Sequence, residues 1–283
     1  MNPLRDVIRR LEQASALDRL ATPLGTVVGR AVRPRAVRNL LSGTYLGHPL
    51  HPLLTDVPIG AWSMSALLDT VGGRSTERAA DLLVATGVLA AVPTAASGLN
   101  DWSDTLGPDT RVGLVHAALN TTALALYATS LAARARGRRT RGKVLGLTGL
   151  GVLLAGSYLG GHLSFVRGVN VNRTAHQDGP QEWTPVIEET ALADGESRTV
   201  EVGGVPVLLH RSAGRVHALA NTCSHMGGPL DEGTISDGCV TCPWHGSTFR
   251  FADGGIRRGP ASTPQPCYDV RVSGGRLEIR AVP

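Results

Sequence analysis

The chain has 283 residues and a formal charge of +5 at neutral pH, and because Lys143 is its only lysine the positive charge is carried by arginine. The arginines crowd beside apolar segments and accompany no base-reading motif, which excludes nucleic acid as the partner. No early apolar run precedes a cleavage site, so a secretory signal peptide is not expected.

Residues 1–42 read as a basic tail, partly helical. Leu4, Ile8, Leu11 and Leu17 fall on or near one side of a helix over Met1–Arg19. Arg5, Arg9, Arg10, Arg30, Arg33, Arg35 and Arg38 are expected either to meet anionic lipid heads or to lie in a solvated, loosely packed basic tail. Residues 43–170 read as a membrane domain with apolar segments Leu53–Val71, Ala79–Leu99, Val112–Ala133 and Val144–Phe165. The last two have the roughly 20 residues that span a bilayer core. Asp56 and Asp69 make the first segment more polar; Asp81 and Pro93 interrupt the second. Small residues dominate all four, and Gly156 and Gly160 fit the small-x-x-x-small spacing of close-packed membrane helices. The expected location is a multi-pass position in the cell membrane.

If the four helices alternate in direction, His48, His51, Asp56, Asp101, His116 and His162 converge on one interface. His116 and His162 then lie about one turn in from helix ends, at similar depth. Ionisable groups at such positions are costly and default to a functional reading. Held on neighbouring helices, these two imidazoles are expected to clasp a haem b, to line a quinone pocket or a proton relay, or only to hydrogen-bond locally.

Residues 171–182 read as a polar tether ending in Asp178-Gly179-Pro180. Residues 183–283 read as β-structure. Alternating runs at Val205–His210, Val216–Ala220, Tyr268–Val272 and Leu277–Arg280 are separated by turn signals at Gly203-Gly204, Ser212–Gly214 and Gly274-Gly275. The predicted fold class is therefore multidomain. An N-terminal all-α bundle of four transmembrane helices precedes a C-terminal all-β antiparallel sandwich.

Within the β-region stand Cys223-Ser224-His225 and Cys242-Pro243-Trp244-His245. Two loops each offer one thiolate and one imidazole. A [2Fe–2S] cluster whose second iron carries two histidines needs this set, because each loop then serves both irons. Cys223 and Cys242 would bind the inner iron, and His225 and His245 the outer one, towards solvent, as the electron exit. Zinc accepts the same donors, although its finger spacings group Cys with Cys and His with His. Cys239 and Cys267 read as buried strand residues acting as small apolar groups.

The segment resembles the Rieske family in CSHMGGPLDEG, in CPWHGSTF and in GPASTPQP, the loop that covers the cluster in that family. The resemblance runs from Trp183 to Val282. Rieske proteins of cytochrome bc complexes join their two loops by a disulfide; Gly228 and Trp244 stand at the matching positions here, as in soluble Rieske ferredoxins. Of the two hydroxyls that donate to the cluster in those proteins, Ser247 keeps one, and Phe249 stands where the other would be. Fewer donors imply a potential near the bottom of the roughly −150 to +300 mV Rieske range. The stretch Gly47-His48-Pro49-Leu50-His51-Pro52, with Asp56-Val57-Pro58-Ile59-Gly60, resembles a four-helix bacterial membrane family with an HPxHP opening.

These resemblances imply a membrane-tethered carrier that exchanges one electron between a soluble redox protein and a quinone or membrane redox enzyme. An accessory that feeds an oxygenase or reductase from a plain anchor, or a redox or iron sensor, are the alternatives. The chain ends too soon after His245 to hold the catalytic domain of a terminal Rieske oxygenase. Basic residues flank the two membrane faces almost evenly. The missing disulfide suits a reducing compartment, so the cluster domain is expected on the cytoplasmic side.

Overall fold

The computed structural model describes residues 3–282. It divides into two compact units, one formed by Met1–Pro34 with Pro49–Val169 and the other by Arg35–His48 with Asn170–Pro283. Met1 and Asn2 of the expected N-terminal helix, and Pro283 of the expected β-domain, lie outside the described residues.

The first unit is helical. Helices α1 (Pro3–Gln13) and α2 (Asp18–Ala31) precede four long ones: α4 (Leu50–Val71), α5 (Glu77–Trp102), α6 (Pro108–Ala135) and α7 (Arg139–Gly161). A wider helical turn, His162–Val166, continues α7. Proline explains two of the starts. Pro49 is extended just before α4, and Pro108 opens α6 behind Gly107, whose φ of +55° suits glycine. The tail is less loose than its composition implies. Ile8 of α1 is buried with Val112, Leu159 and Leu163, and Arg111 binds both carboxylate oxygens of Asp18 at 2.8 and 2.7 Å.

Among the described residues, three helical segments are long and apolar enough to cross a membrane: Arg74–Trp102, Pro108–Ala135 and Arg139–Val166. The expectation of four apolar spans is met by three. Helix α4 has the length, but with His51, Asp56 and Asp69 in it, it does not count among them. Trp62 and Tyr127 stack at the centre of this unit, with Val84, Ala123 and Leu153 around them. Towards the end of α4 and α6, Arg134 pairs with Asp69, their side chains 1% and 3% exposed. Arg134 also reaches Asp81 at 2.9 Å, and Arg139 reaches Asp69 at 3.1 Å. A buried guanidinium needs such partners, because a bare charge in a low-dielectric interior is very costly.

The second unit is the β-domain. A six-stranded sheet runs in the order β1 (Thr184–Glu188), β10 (Arg276–Ala281), β9 (Cys267–Ser273), β4 (Arg215–Ala220), β3 (Val205–Ser212) and β2 (Ser197–Val202). A smaller sheet runs β5 (Thr234–Ser236), β6 (Cys239–Thr241), β7 (Thr248–Arg250) and β8 (Ile256–Arg258). All pairings are antiparallel. In β3, Val207 and Leu209 join one core and Leu208 the other. Both faces of that strand are covered, so its residues are buried without alternation. Cys239 is buried, Cys267 partly so, and both are free thiols in strands, as expected.

One helix sits where the sequence does not suggest. Helix α3 (Arg35–Ser42), from the basic tail, belongs to the β-unit. Asn39 accepts the Gly259 N–H at 2.8 Å and donates to the Arg257 carbonyl at 3.4 Å, while Thr44 donates to the Ala261 carbonyl at 3.0 Å. Arg38 is 4% exposed. The expectation that it meets lipid heads is corrected: it is packed within the β-unit, because Asn39 beside it holds the helix there.

Candidate metal centre

The two motif loops are built alike. The first lies between β4 and β5, the second between β6 and β7. The Cys223 N–H binds the Gly228 carbonyl at 2.8 Å, and the Cys242 N–H binds the Ser247 carbonyl at 2.8 Å. In return, Gly227 and Gly246 donate to the Cys223 and Cys242 carbonyls, at 2.9 and 3.1 Å. Those glycines have φ of +82° and +73°, the left-handed conformation that closes each loop and that a side chain would strain.

Both cysteines are buried free thiols, 1% and 3% exposed. The hydrogen bond between them lowers the Cys242 thiol against the opposing effect of burial, with the Trp244 and His245 amides adding to the lowering; the same pairing and burial push Cys223 up. Amides converging on sulfur favour thiolates, the form that binds metal. The imidazoles of His225 and His245 stand 5.1 Å apart between centroids, planes at 88°. Two rings on one tetrahedral metal at about 2.0–2.1 Å from each nitrogen would have centroids about 5 Å apart. Among the described residues, no group of three His, Cys, Asp or Glu side chains converges on a single point. The donors fall into a sulfur pair and an imidazole pair. That division is the one that two bridged irons would need.

His225 is 6% exposed, and its Nε2 meets Asn170 Oδ1 at 3.2 Å. The amide oxygen can only accept, so Nε2 carries the proton and Nδ1 offers its lone pair. Burial first, then the charges of His245, Arg38 and Arg173, push the His225 pKa down to about 3 and keep the ring neutral. The expectation that both outer histidines face solvent is corrected: His225 is enclosed, since Asn170 and the packed segment around Arg38 lie in the same unit. His245 is partly exposed, beside Trp244 at 54%.

Around these donors the remaining expected positions gather. Gly228 leaves no room for a side chain: a Cβ there would lie 2.8 Å from Cys242 Sγ and 3.0 Å from the Trp244 ring. Trp244 thus packs over the glycine at the position where a disulfide would join the loops. Ser247 is fully buried and its Oγ accepts the Ala261 N–H at 2.9 Å, which leaves its hydroxyl hydrogen to donate. Phe249 is fully buried beside both cysteines. Gln265, inside the GPASTPQP segment but not singled out by it, braces the first loop: it accepts the Ser224 N–H at 3.0 Å and donates to the Ala220 and Thr222 carbonyls at 2.7 and 2.6 Å.

The structure does not join His116 to His162. His116 Nδ1 binds the Gly156 carbonyl at 2.8 Å, and its ring neighbours that of His51. His162 Nε2 lies 3.4 Å from Glu12 on α1. The pairing expected from depth is corrected, because depth alone does not say which way a helix face turns.

Comparison with known proteins agrees with the geometry. Residues 182–269 match the Rieske [2Fe-2S] domain, and residues 47–173 match a predicted membrane protein family, DUF2231. Apoptosis-inducing factor 3 of Mus musculus is 38% identical over 32% of this chain, which spans only 15% of that protein's length. The ferredoxin component of the alkene monooxygenase system of Xanthobacter autotrophicus is 34% identical over 36% of this chain and 84% of its own. The ferredoxin component of biphenyl 2,3-dioxygenase of Rhodococcus jostii is 32% identical over 32% of this chain and 85% of its own. The Rieske domain implies a [2Fe–2S] cluster, and the helical region implies membrane association. The chain belongs to the Rieske [2Fe–2S] family through its C-terminal domain, borne behind an N-terminal domain of the predicted membrane family.

Proposed function

We propose that the protein is a membrane-tethered electron carrier. Cys223 and Cys242 hold the inner iron, and His225 and His245 the outer. When bound, the cluster takes up and releases one electron. The chain's own residues decide where that electron leaves. Asn170 fixes the His225 ring through Nε2–H, and the burial of that ring keeps water and partners from it. His245, partly exposed beside Trp244, is left as the contact for a redox partner. The observation that carries this reading is the division of the four donors into a thiol pair and an imidazole pair 5.1 Å apart.

The helical unit holds the carrier at the bilayer, with α4 as a fourth crossing helix and the cluster domain on the cytoplasmic side. Its partners are a soluble redox protein and a membrane redox component such as a quinone enzyme. The matched ferredoxin components are named for oxygenase systems, which favours as the second reading an accessory that feeds an oxygenase. A reductive titration of the purified chain in detergent tests the carrier. It should accept one electron per chain and return it to a soluble acceptor, more slowly when Trp244 is replaced by a charged residue. A chain that accepts no electron contradicts it.

A further inference from the structure

The helical unit repeats itself. Each of four residues on α4 has a counterpart 65 positions later on α6: His51 and His116, Trp62 and Tyr127, Ser65 and Ser130, Asp69 and Arg134. Their partners on the following helices are offset by 62. Ser65 donates to the Ala80 carbonyl at 3.1 Å, and Ser130 to that of Gly142 at 2.6 Å. Trp62 lies against Gly87, and Tyr127 against Gly149. His51 Nδ1 meets the Thr94 carbonyl at 3.0 Å with its ring against Gly98; His116 Nδ1 meets that of Gly156 at 2.8 Å with its ring against Gly160. Helices α4–α5 and α6–α7 are therefore two copies of one hairpin.

The copies meet through equivalent positions. Trp62 stacks on Tyr127, Asp69 pairs with Arg134, and the His51 and His116 rings stand side by side. Contacts between equivalent residues mark a two-fold axis, here a pseudo-two-fold along the helices, as in parallel membrane repeats. Two donors related by such an axis are placed to share one ligand on it.

We propose that His51 and His116 form a bis-imidazole site for one transition-metal centre, a haem iron or a single ion, on this axis. A carbonyl can only accept, so each Nδ1 carries the proton and each neutral ring offers the Nε2 lone pair. Metal-ligating histidines are oriented by this same backbone bond. The ring centroids are 6.4 Å apart with planes at 87°. Two imidazoles on opposite sides of one metal, at about 2.0–2.1 Å per bond, would have centroids about 6.4 Å apart. The glycines fix the rings: a Cβ at Gly98 would come within 2.7 Å of His51 Cε1, and one at Gly160 within 2.9 Å of His116 Cε1. Ser97 Oγ lies 3.3 Å from His51 Nδ1. The Asn120 amide nitrogen lies 3.3 and 3.4 Å from the two His116 ring nitrogens, but its shorter bond, 2.8 Å, goes to the His116 carbonyl. Two donors suffice for haem iron, whose other positions the porphyrin fills.

The test uses the full chain in detergent with its cluster loaded. Haemin is titrated in one arm and Co²⁺ in the other, with optical absorption read in each. A six-coordinate low-spin haem spectrum assigns a haem site; an imidazole-bound cobalt spectrum without haem uptake assigns an ion site. Either signal should be lost in His51→Gln and in His116→Gln, and kept in His162→Gln. Binding of neither probe by the wild type, or binding that survives the His51→Gln/His116→Gln double substitution, overturns the proposal. The cluster's EPR signal, read on the same samples, reports folding and keeps this result separate from the carrier reading.

Discussion

The Asn39 side chain closes on the backbone of Gly259, accepting its N–H at 2.8 Å across 220 residues of sequence. Gly259 opens the segment whose Ala261 and Thr263 bond Ser247 and Ser224 of the two motif loops, so an N-terminal helix far from the motif helps to hold that segment. Asn39→Ala leaves the buried Gly259 amide without its acceptor, at a cost of about 1–3 kcal/mol. Thermal unfolding followed by the cluster's visible absorption should show an earlier loss of colour than in wild type; an unchanged midpoint contradicts the brace.

Gly228 is required by space. Its substitution by alanine places a methyl group 2.8 Å from Cys242 Sγ, so one ligand or the Trp244 ring must shift. Gly228→Ala should lower the iron and sulfide content of purified protein severalfold. Full incorporation would show that the loop yields easily.

Phe249 shares a buried cluster with both cysteines and has no donor to offer. Phe249→Tyr adds one, which stabilises the more negative reduced cluster. A redox titration should give a higher midpoint potential. A fall, or no shift, contradicts the hydrogen-bond account of a low potential.

The Asp69–Arg134 pair is buried on both sides. Arg134→Met leaves the buried Asp69 with Arg139 as its remaining guanidinium partner, so the loss should be smaller than the roughly 3–5 kcal/mol of a fully stranded buried charge. Pairing it with Asp69→Leu should restore part of the loss. Detergent-denaturation midpoints of both single variants and the double variant measure the coupling; strictly additive losses would mean that the pair does not interact.

His210 and His217 flank Phe251 in the β-domain, and burial lowers the pKa of both. The folded state resists their protonation more than the unfolded chain does. Their contribution to stability is therefore present above the ordinary value of about 6.5 and is lost as pH falls below it. Unfolding midpoints should drop between pH 7 and pH 5, and less so in His210→Gln.

The cluster motif was legible because its ligands lie within short contiguous loops, where spacing alone carries the chemistry. Strands β3, β4, β9 and β10 showed as apolar-rich runs between turn signals, whereas β5 to β8 span three residues each and leave no pattern to read. The apolar runs marked α4 to α7, with ends displaced by a few residues. Two things were hidden. Docking of α3 depends on a contact across most of the chain. The hairpin repeat is masked because its paired positions are complementary rather than alike: Asp69 faces Arg134, and Trp62 faces Tyr127. Only histidine, serine and glycine pairs repeat in identity, too few to stand out among so many small residues.

Combined iron, acid-labile sulfide and zinc analysis of the purified chain, with EPR of the dithionite-reduced sample, tests the central claim most directly. Two irons and two sulfides per chain, with a g-anisotropic signal lost in His225→Ala and in His245→Ala, is the expected result. Zinc, or iron without sulfide, would contradict it.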